Sequence, residues 1–345
     1  NTLFLHHTMD NIPWTYGGAK KTKLLSVISS KDHQMSFATQ CDWVIGMRWQ
    51  EKNINCYGNP NVLPSKIFVQ VRALKFFMNN IYTNIPKHHR YILLIGDEDD
   101  TTPRQIDRRF ANSANIKKND WKRLVTDDQI IHIFVNHLDI PATNKISPFP
   151  IGFNPSEYQE KALLTKYRSP KFNVDILCNV PVSFDNRQLK VLMTARIRKG
   201  PQWKDRQTVK ELANSIWKDF SVVPVKEIPN HLFFTEIQKY SFMYCPHGGG
   251  IEPNPNAFTA IYCGTIPIMK RFVNCDILFE GLPVIFIDDW KEDQITIERL
   301  EQWRDQLKDS VYNPDSRKKV LERLTTEYWV SYIENRCKES PDSIK

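Results

Sequence analysis

Short runs of consecutive apolar residues recur along this chain, separated by stretches whose apolar positions step by three and four. The first pattern fits a strand buried on both faces, the second an amphipathic helix. Leu3 to Leu5, Leu24 to Ile28, Trp43 to Ile45, Tyr91 to Ile95 and Ile130 to Val135 read as buried strands. Phe68 to Tyr82 reads as a helix, with Val71, Leu74, Phe77, Met78 and Ile81 along one stripe. A second series follows. Strands are expected at Val174 to Cys178, Phe220 to Val225, Ser241 to Cys245, Ile266 to Met269 and Val284 to Ile287, and helices at Gln188 to Arg198, Phe233 to Tyr240 and Asn256 to Cys263. Such alternation predicts an α/β fold with parallel sheets. Four prolines between Ile140 and Arg168 (Pro141, Pro148, Pro150 and Pro155) mark a linker. From Thr296 onward the chain is charged and helical. Asn313 to Ser316 breaks it, with Ser316 expected to cap a last helix carrying Val320, Leu324, Tyr328 and Tyr332 on one face.

The chain has 345 residues, and at about 150 residues per domain two domains are expected. The linker places them at 1–150 and 151–310, with 311–345 as a C-terminal helical segment packing back on the first. A hydrophobic fraction of 41% with 25% charged residues excludes bulk disorder. The longest apolar stretches, such as Tyr91 to Ile95 and Leu282 to Ile287, are strand-sized, so no membrane span is expected. The first residues carry neither a basic region nor a small-residue cleavage site, so no signal or transit peptide is expected.

The net charge is +8, from 47 Lys and Arg against 39 Asp and Glu. That excess fits an ordinary soluble surface or a cleft that attracts phosphate-bearing ligands. The basic residues are spread along the chain without a recognition-module signature, so nucleic acid is not an expected partner. Seven cysteines without a CxxC pair read as reduced thiols in a cytoplasmic setting. The histidines and cysteines adopt no zinc spacing, and no metal site is expected from them.

The most informative stretch runs from Tyr240 to Ile268. It reads strand, glycine loop, helix, Gly-Thr turn, strand. Consecutive Gly248, Gly249 and Gly250 let backbone approach a ligand and turn N–H groups toward an anion, and the helix start adds positive dipole. The bland alternative is a tight turn between packed elements. His247 to Gly250 also matches the oxyanion-hole motif of lipases, but the chain has no G-x-S-x-G nucleophile elbow to go with it.

Taken whole, this stretch resembles the donor-binding signature of two-domain GT-B glycosyltransferases, in particular the exostosin-like and viral group. Ser241, Phe242, Pro246, Gly248, Gly250, Ile251, Glu252, Ala260, Gly264, Ile266, Pro267 and Ile268 carry the match, and Leu282 to Trp290 is similar to that group's following strand. Upstream, Tyr91 to Pro103, Phe134 to His137 and Ser147 to Asn154 are similar to three further segments of the group, in the same order. The helix departs from the pattern: the family's Arg and its ribose-holding Glu fall at Asn256 and Thr259. The resemblance implies two Rossmann-like domains facing a central cleft. The C-terminal one would bind a GDP- or UDP-sugar and the N-terminal one a glycan acceptor. It implies an inverting transfer to a glycan hydroxyl with no cofactor or metal required.

The donor-binding residues expected on this basis are Arg187, His247, Gly248, Gly249, Gly250, Glu252, Asn254, Asn256 and Thr259. Glu252 is a candidate for the missing carboxylate. Arg187 closes a segment that resembles the strand-loop-Arg element by which fucosyltransferase-like enzymes neutralise the donor diphosphate, a task suited to a bidentate cation. Arg196, Lys199, Lys204 and Arg206 form a basic run expected to be solvated. For the base that deprotonates the acceptor, the candidates are Asp97, Asp99 and Asp100, directly after a buried strand, and His6 after the first strand. Strand-end loops are where open α/β sheets hold ligands, and clustered carboxylates raise one another's pKa. Two alternatives stay open: a metal-dependent GT-A enzyme using Asp97 and Asp99 as a D-x-D motif, and a non-catalytic glycan- or nucleotide-binding module.

Overall fold

The computed structural model describes residues 12, 14–15, 38–47, 54–96, 99–106, 116–152, 186–198, 200, 203–252 and 255–338. The strands expected at Leu3 to Leu5, Leu24 to Ile28 and Val174 to Cys178 lie outside them. The described residues form two compact units, one up to Ile151 and resumed from Thr326, the other from Gly152 to Thr325.

The first unit is built on a seven-stranded sheet in the order β1-β3-β2-β4-β5-β6-β7. The strands are β1 (Trp14–Thr15), β2 (Trp43–Met47), β3 (Ile54–Tyr57), β4 (Lys66–Gln70), β5 (Tyr91–Gly96), β6 (Ile130–Val135) and β7 (Ile146–Pro148). Every pairing is parallel except β2 with β3. Helix α1 (Leu74–Asn80) crosses from β4 to β5, and α2 (Lys118–Thr126) leads into β6. Leu93, Ile95, Ile133 and Val135 share a buried core with Leu74, Phe77 and Leu124 from the helices. Two expectations change. Phe68 to Gln70 are not helical: they finish β4, where Phe68 pairs with Leu94 and Val69 with Ile95. Part of the expected linker, Ile146–Pro148, is a strand, because its buried residues complete the sheet beside β6.

The second unit has a five-stranded, wholly parallel sheet. Its strands are β8 (Gln188–Met193), β9 (Ser221–Val222), β10 (Tyr240–Tyr244), β11 (Ile266–Lys270) and β12 (Ile285–Ile287). Their spatial order is β9-β8-β10-β11-β12. Numbered within the unit this is 2-1-3-4-5, a doubly wound order whose direction of growth reverses between β8 and β10. Helices α3 (Lys204–Asn214), α4 (Asn230–Ile237), α5 (Asn256–Tyr262) and α6 (Cys275–Leu278) fall between strands, and α7 (Ile297–Tyr312) and α8 (Pro314–Glu322) follow β12.

Here too the structure corrects the sequence reading. Gln188 to Met193 is a strand, not a helix. Val191, Leu192 and Met193 pair with Phe242, Met243 and Tyr244 of β10. The strand at Phe220 to Val225 shrinks to two residues, and Val225 is fully exposed. Asn313, rather than Ser316, caps α8: its side chain accepts from the backbone N–H groups of Asp315 and Ser316, and Pro314 fills the first helical position. Val320 and Leu324 do not share a helix with Tyr328 and Tyr332, because α8 ends at Glu322 and α9 (Thr326–Lys338) begins anew. Helix α9 belongs to the first unit, where the Tyr332 ring meets Phe134 of β6 edge-on at 6.2 Å.

Among the described residues no helix is long and apolar enough to cross a membrane. Six described cysteines are free thiols. Burial pushes Cys56 and Cys263 up to about 12, which keeps them protonated and unreactive.

Candidate functional site

In a doubly wound sheet, the chain segments leaving two neighbouring strands in opposite directions open a crevice at the C-terminal edge. In the second unit those segments follow β8 and β10. The segment after β10 is the glycine loop, His247 to Gly250. The structure therefore sets the loop singled out in the sequence at the point of strand reversal.

The crevice has a cationic floor. Arg206, in the first turn of α3, is only 6% exposed. Its Nε donates to the His247 carbonyl at 3.3 Å and its Nη1 to the Arg196 carbonyl at 2.8 Å. It thus ties the segment after β8 to the segment after β10. Its guanidinium lies 4.5 Å from the centre of the Trp203 ring, which fixes its plane. Gly248 is required by this packing: a Cβ there would stand 2.1 Å from an Arg206 nitrogen and 3.0 Å from Trp203. The reading of Arg206 as solvated is thereby overturned.

Two more strand ends and the start of α3 bring charge to the same edge. Lys270 closes β11, Asp289 follows β12, and Asp205 stands beside Arg206. Lys270 Nζ is 2.6 Å from Asp205 Oδ2 and 3.8 Å from Asp289 Oδ1. His247 Nδ1 lies 3.4 Å from that same Asp205 oxygen. These side chains are partly exposed, so the edge presents an ammonium and an imidazole interleaved with two carboxylates, over the buried Arg206 guanidinium. Asp205 and Lys270 carried no motif in the sequence, and Asp289 stood in the segment Leu282 to Trp290 without being singled out. Only the parallel order of the sheet converges them.

Arg187 is placed elsewhere. It immediately precedes β8 and so lies at the N-terminal edge, the opposite edge from the glycine loop. It is 7% exposed, and burial lowers its pKa. It donates to Thr265 Oγ1 at 2.8 Å and to the Cys263 carbonyl at 2.9 Å. Arg317 donates to the Ile261 and Tyr262 carbonyls at 2.8 and 2.7 Å. Two buried arginines thus satisfy the last carbonyls of α5, where cations are favoured by the helix dipole. The assignment of Arg187 to a donor diphosphate at the glycine loop does not fit this position.

The other expected donor residues divide. Glu252 is 1% exposed, two residues after the glycine loop. Asn256, half-buried, opens α5. Thr259 is wholly buried and its hydroxyl donates to the Pro255 carbonyl one turn back at 3.0 Å, so it faces its own helix. Asn254 lies outside the described residues. Helix α5 has only seven residues.

At the C-terminal edge of the first sheet, Asp99 is exposed and Asp100 is 1% exposed, while Asp97 and His6 lie outside the described residues. Two sequence segments meet here. Asn136, after β6, donates to the Phe149 and Pro150 carbonyls at 2.8 and 3.1 Å. Gly96 makes room for it, since a Cβ would fall 1.9 Å from the Asn136 oxygen. The loop after β5 is pinned to the loop after β6 by bonds from the Thr102 amide to the His137 carbonyl and from the Asp139 amide to the Thr102 carbonyl.

No family model matches the chain, and no curated protein matches it. Solved structures do match. An α,α-trehalose 6-phosphate synthase from Burkholderia multivorans aligns at 10% identity over 81% of this chain and 72% of its own, with a TM-score of 0.41. Anabaena HepE in complex with UDP aligns at 10% identity over 81% of this chain and 79% of its own, with a TM-score of 0.40. An α1,3-fucosyltransferase aligns at 10% identity over 83% and 81%, with a TM-score of 0.36.

Proposed function

We propose that this chain is a glycosyltransferase that moves a sugar from a nucleotide-diphosphate sugar to a glycan hydroxyl, with inversion and without a metal ion. The observation that carries the reading is the position of the glycine loop. The stretch whose sequence resembles a donor-binding signature falls at the strand reversal of the second unit, over the buried Arg206 and beside Lys270 and His247.

On this reading Arg206 takes the part first expected of Arg187. It holds the loop, and with Lys270 and the loop amides it stabilises the charge that develops on the departing diphosphate. These charges are fixed before the donor arrives, so little reorganisation is needed as the glycosidic bond breaks. The acceptor belongs to the first unit. Among the candidate bases there, exposure favours Asp99 over the buried Asp100. A base must reach the acceptor hydroxyl directly or through one water. The free cysteines support a cytoplasmic location.

The test is a thermal-shift series with UDP, GDP and their sugars, each with and without Mn²⁺. A ligand that binds only the folded state raises the melting temperature. The expected result is stabilisation by one nucleotide series independent of Mn²⁺, lost in Lys270→Gln. Stabilisation only with Mn²⁺, lost in Asp99→Asn, would replace this mechanism by the metal-dependent one. No shift with any nucleotide would sink the reading.

A further inference from the structure

The opposite, N-terminal edge of the first sheet carries an open cavity of about 750 Å³. Its walls come from the segment leading into β5, with Lys87 and Arg90, and from the end of α2 and the turn into β6, with Arg123, Asp127 and Gln129. Tyr82 lies at its base. Lys87 Nζ is 5.4 Å from the centre of the Tyr82 ring, and the Arg123 guanidinium carbon is 5.3 Å from the same centre. Two cations from separate segments therefore flank one aromatic ring, each with a carboxylate on its far side: Asp127 lies 3.7 Å from Lys87 and Asp120 3.8 Å from Arg123.

The carboxylate beside Lys87 is already committed, and that beside Arg123 belongs to its own helix, one turn back. Asp127 accepts from the Tyr82 hydroxyl and, at 2.9 Å, from the Gln129 amide, and lies 3.7 Å from Lys87. Burial opposes its ionisation, but these partners together hold it below the ordinary carboxylate range. The Gln129 side chain is equally fixed. It donates to the Pro86 carbonyl at 2.6 Å and accepts from Lys87 at 3.0 Å. The floor is thus a rigid, internally satisfied polar surface, while the rim carries Lys87, Arg90 and Arg123 against the exposed Asp128.

We propose that this cavity is a binding site for a multiply charged oxyanion, one carrying two or more phosphate or sulfate groups. Lys87 and Arg123 hold separate groups of one ligand, and Tyr82 and Asp127 keep the two cations in register. The site lies at the edge of the sheet away from Asp99 and Asp100, so it is distinct from the residues assigned to chemistry. It does not depend on the chain being a glycosyltransferase. The ligand could be a free polyphosphate or the charged groups of a sulfated or phosphorylated glycan, and the experiment separates these.

The experiment is isothermal titration of the full chain at low ionic strength with inorganic pyrophosphate and with a disulfated disaccharide. The proteins are the wild type, Lys87→Gln/Arg123→Gln and Lys270→Gln. Both substituted side chains of the double variant are at the surface, so its fold is expected to survive. The expected result is a class of sites for at least one probe that weakens by about tenfold or more in the double variant and persists in Lys270→Gln. The tighter probe identifies the source of the ligand. The proposal is overturned if neither probe binds the wild type at millimolar concentration. It is also overturned if the double variant keeps wild-type affinity and stoichiometry, or if all binding disappears with Lys270→Gln.

Discussion

Arg187 and Arg206 are close in sequence, almost equally buried and both bonded to backbone carbonyls in the second unit, yet they lie at opposite edges of one parallel sheet. At the N-terminal edge, Arg187 joins Arg317 in closing off the end of α5. At the C-terminal edge, Arg206 supports a loop and is surrounded by partly exposed charge. The comparison teaches that neither residue type nor burial separates a structural arginine from one at a ligand site. Position relative to strand direction does, because an α/β sheet presents its variable loops and its ligands at the carboxyl ends.

The largest effect that could break this contrast is expected from Arg187→Ala. It strips partners from the Thr265 hydroxyl and from the Cys263 carbonyl at the end of α5, both buried. Losing a hydrogen bond from a buried charged group costs about 1.5–3 kcal/mol, and two such bonds are lost here. Urea denaturation followed by a probe in the second unit should show that loss, while the protein that remains folded binds nucleotide as before. Full stability with lost nucleotide binding would return Arg187 to the donor site.

Gly248→Ala sharpens the contrast from the other edge. Its Cβ cannot coexist with Arg206 in the present geometry, so the loop or the guanidinium must shift. The loss is expected mainly in ligand affinity, by about tenfold or more, with a destabilisation of about 1–3 kcal/mol. Titration with the nucleotide that stabilises the wild type checks it. Unchanged affinity would mean that the Arg206-supported loop is not where the nucleotide binds.

How far the sequence revealed this arrangement depends on what each element needed from distant residues. Strands β5, β6 and β10 were legible because neighbours cover them on both sides, which demands continuous apolar runs. Strand β8 was read as a helix because only its second half is covered on both sides: β9 reaches Val191 and Leu192 alone, which leaves Gln188 exposed and Lys190 partly so. The alternation of Leu189, Val191 and Met193 was the available signal. Misplacing β8 moved the strand's end, and with it the arginine, to the wrong edge. The glycine loop was legible as a contiguous motif. The meeting of Asp205, Lys270 and Asp289 was not, since nothing local joins residues that meet only after four strands align in parallel.

The smallest expected effect concerns Thr259, which the sequence placed where the resembling family holds ribose. Its hydroxyl is satisfied by the Pro255 carbonyl inside α5, and the residue is fully buried. Thr259→Val keeps the shape and removes the hydroxyl. It leaves that carbonyl its backbone partner, because the Thr259 amide also donates to it at 3.0 Å. The stability change should therefore stay near 1 kcal/mol or less. Nucleotide affinity should not move, whereas a ribose contact would make it fall by about tenfold. Equal affinities would assign ribose recognition to groups other than α5's buried face, with Glu252 and Asn256 the next positions to vary.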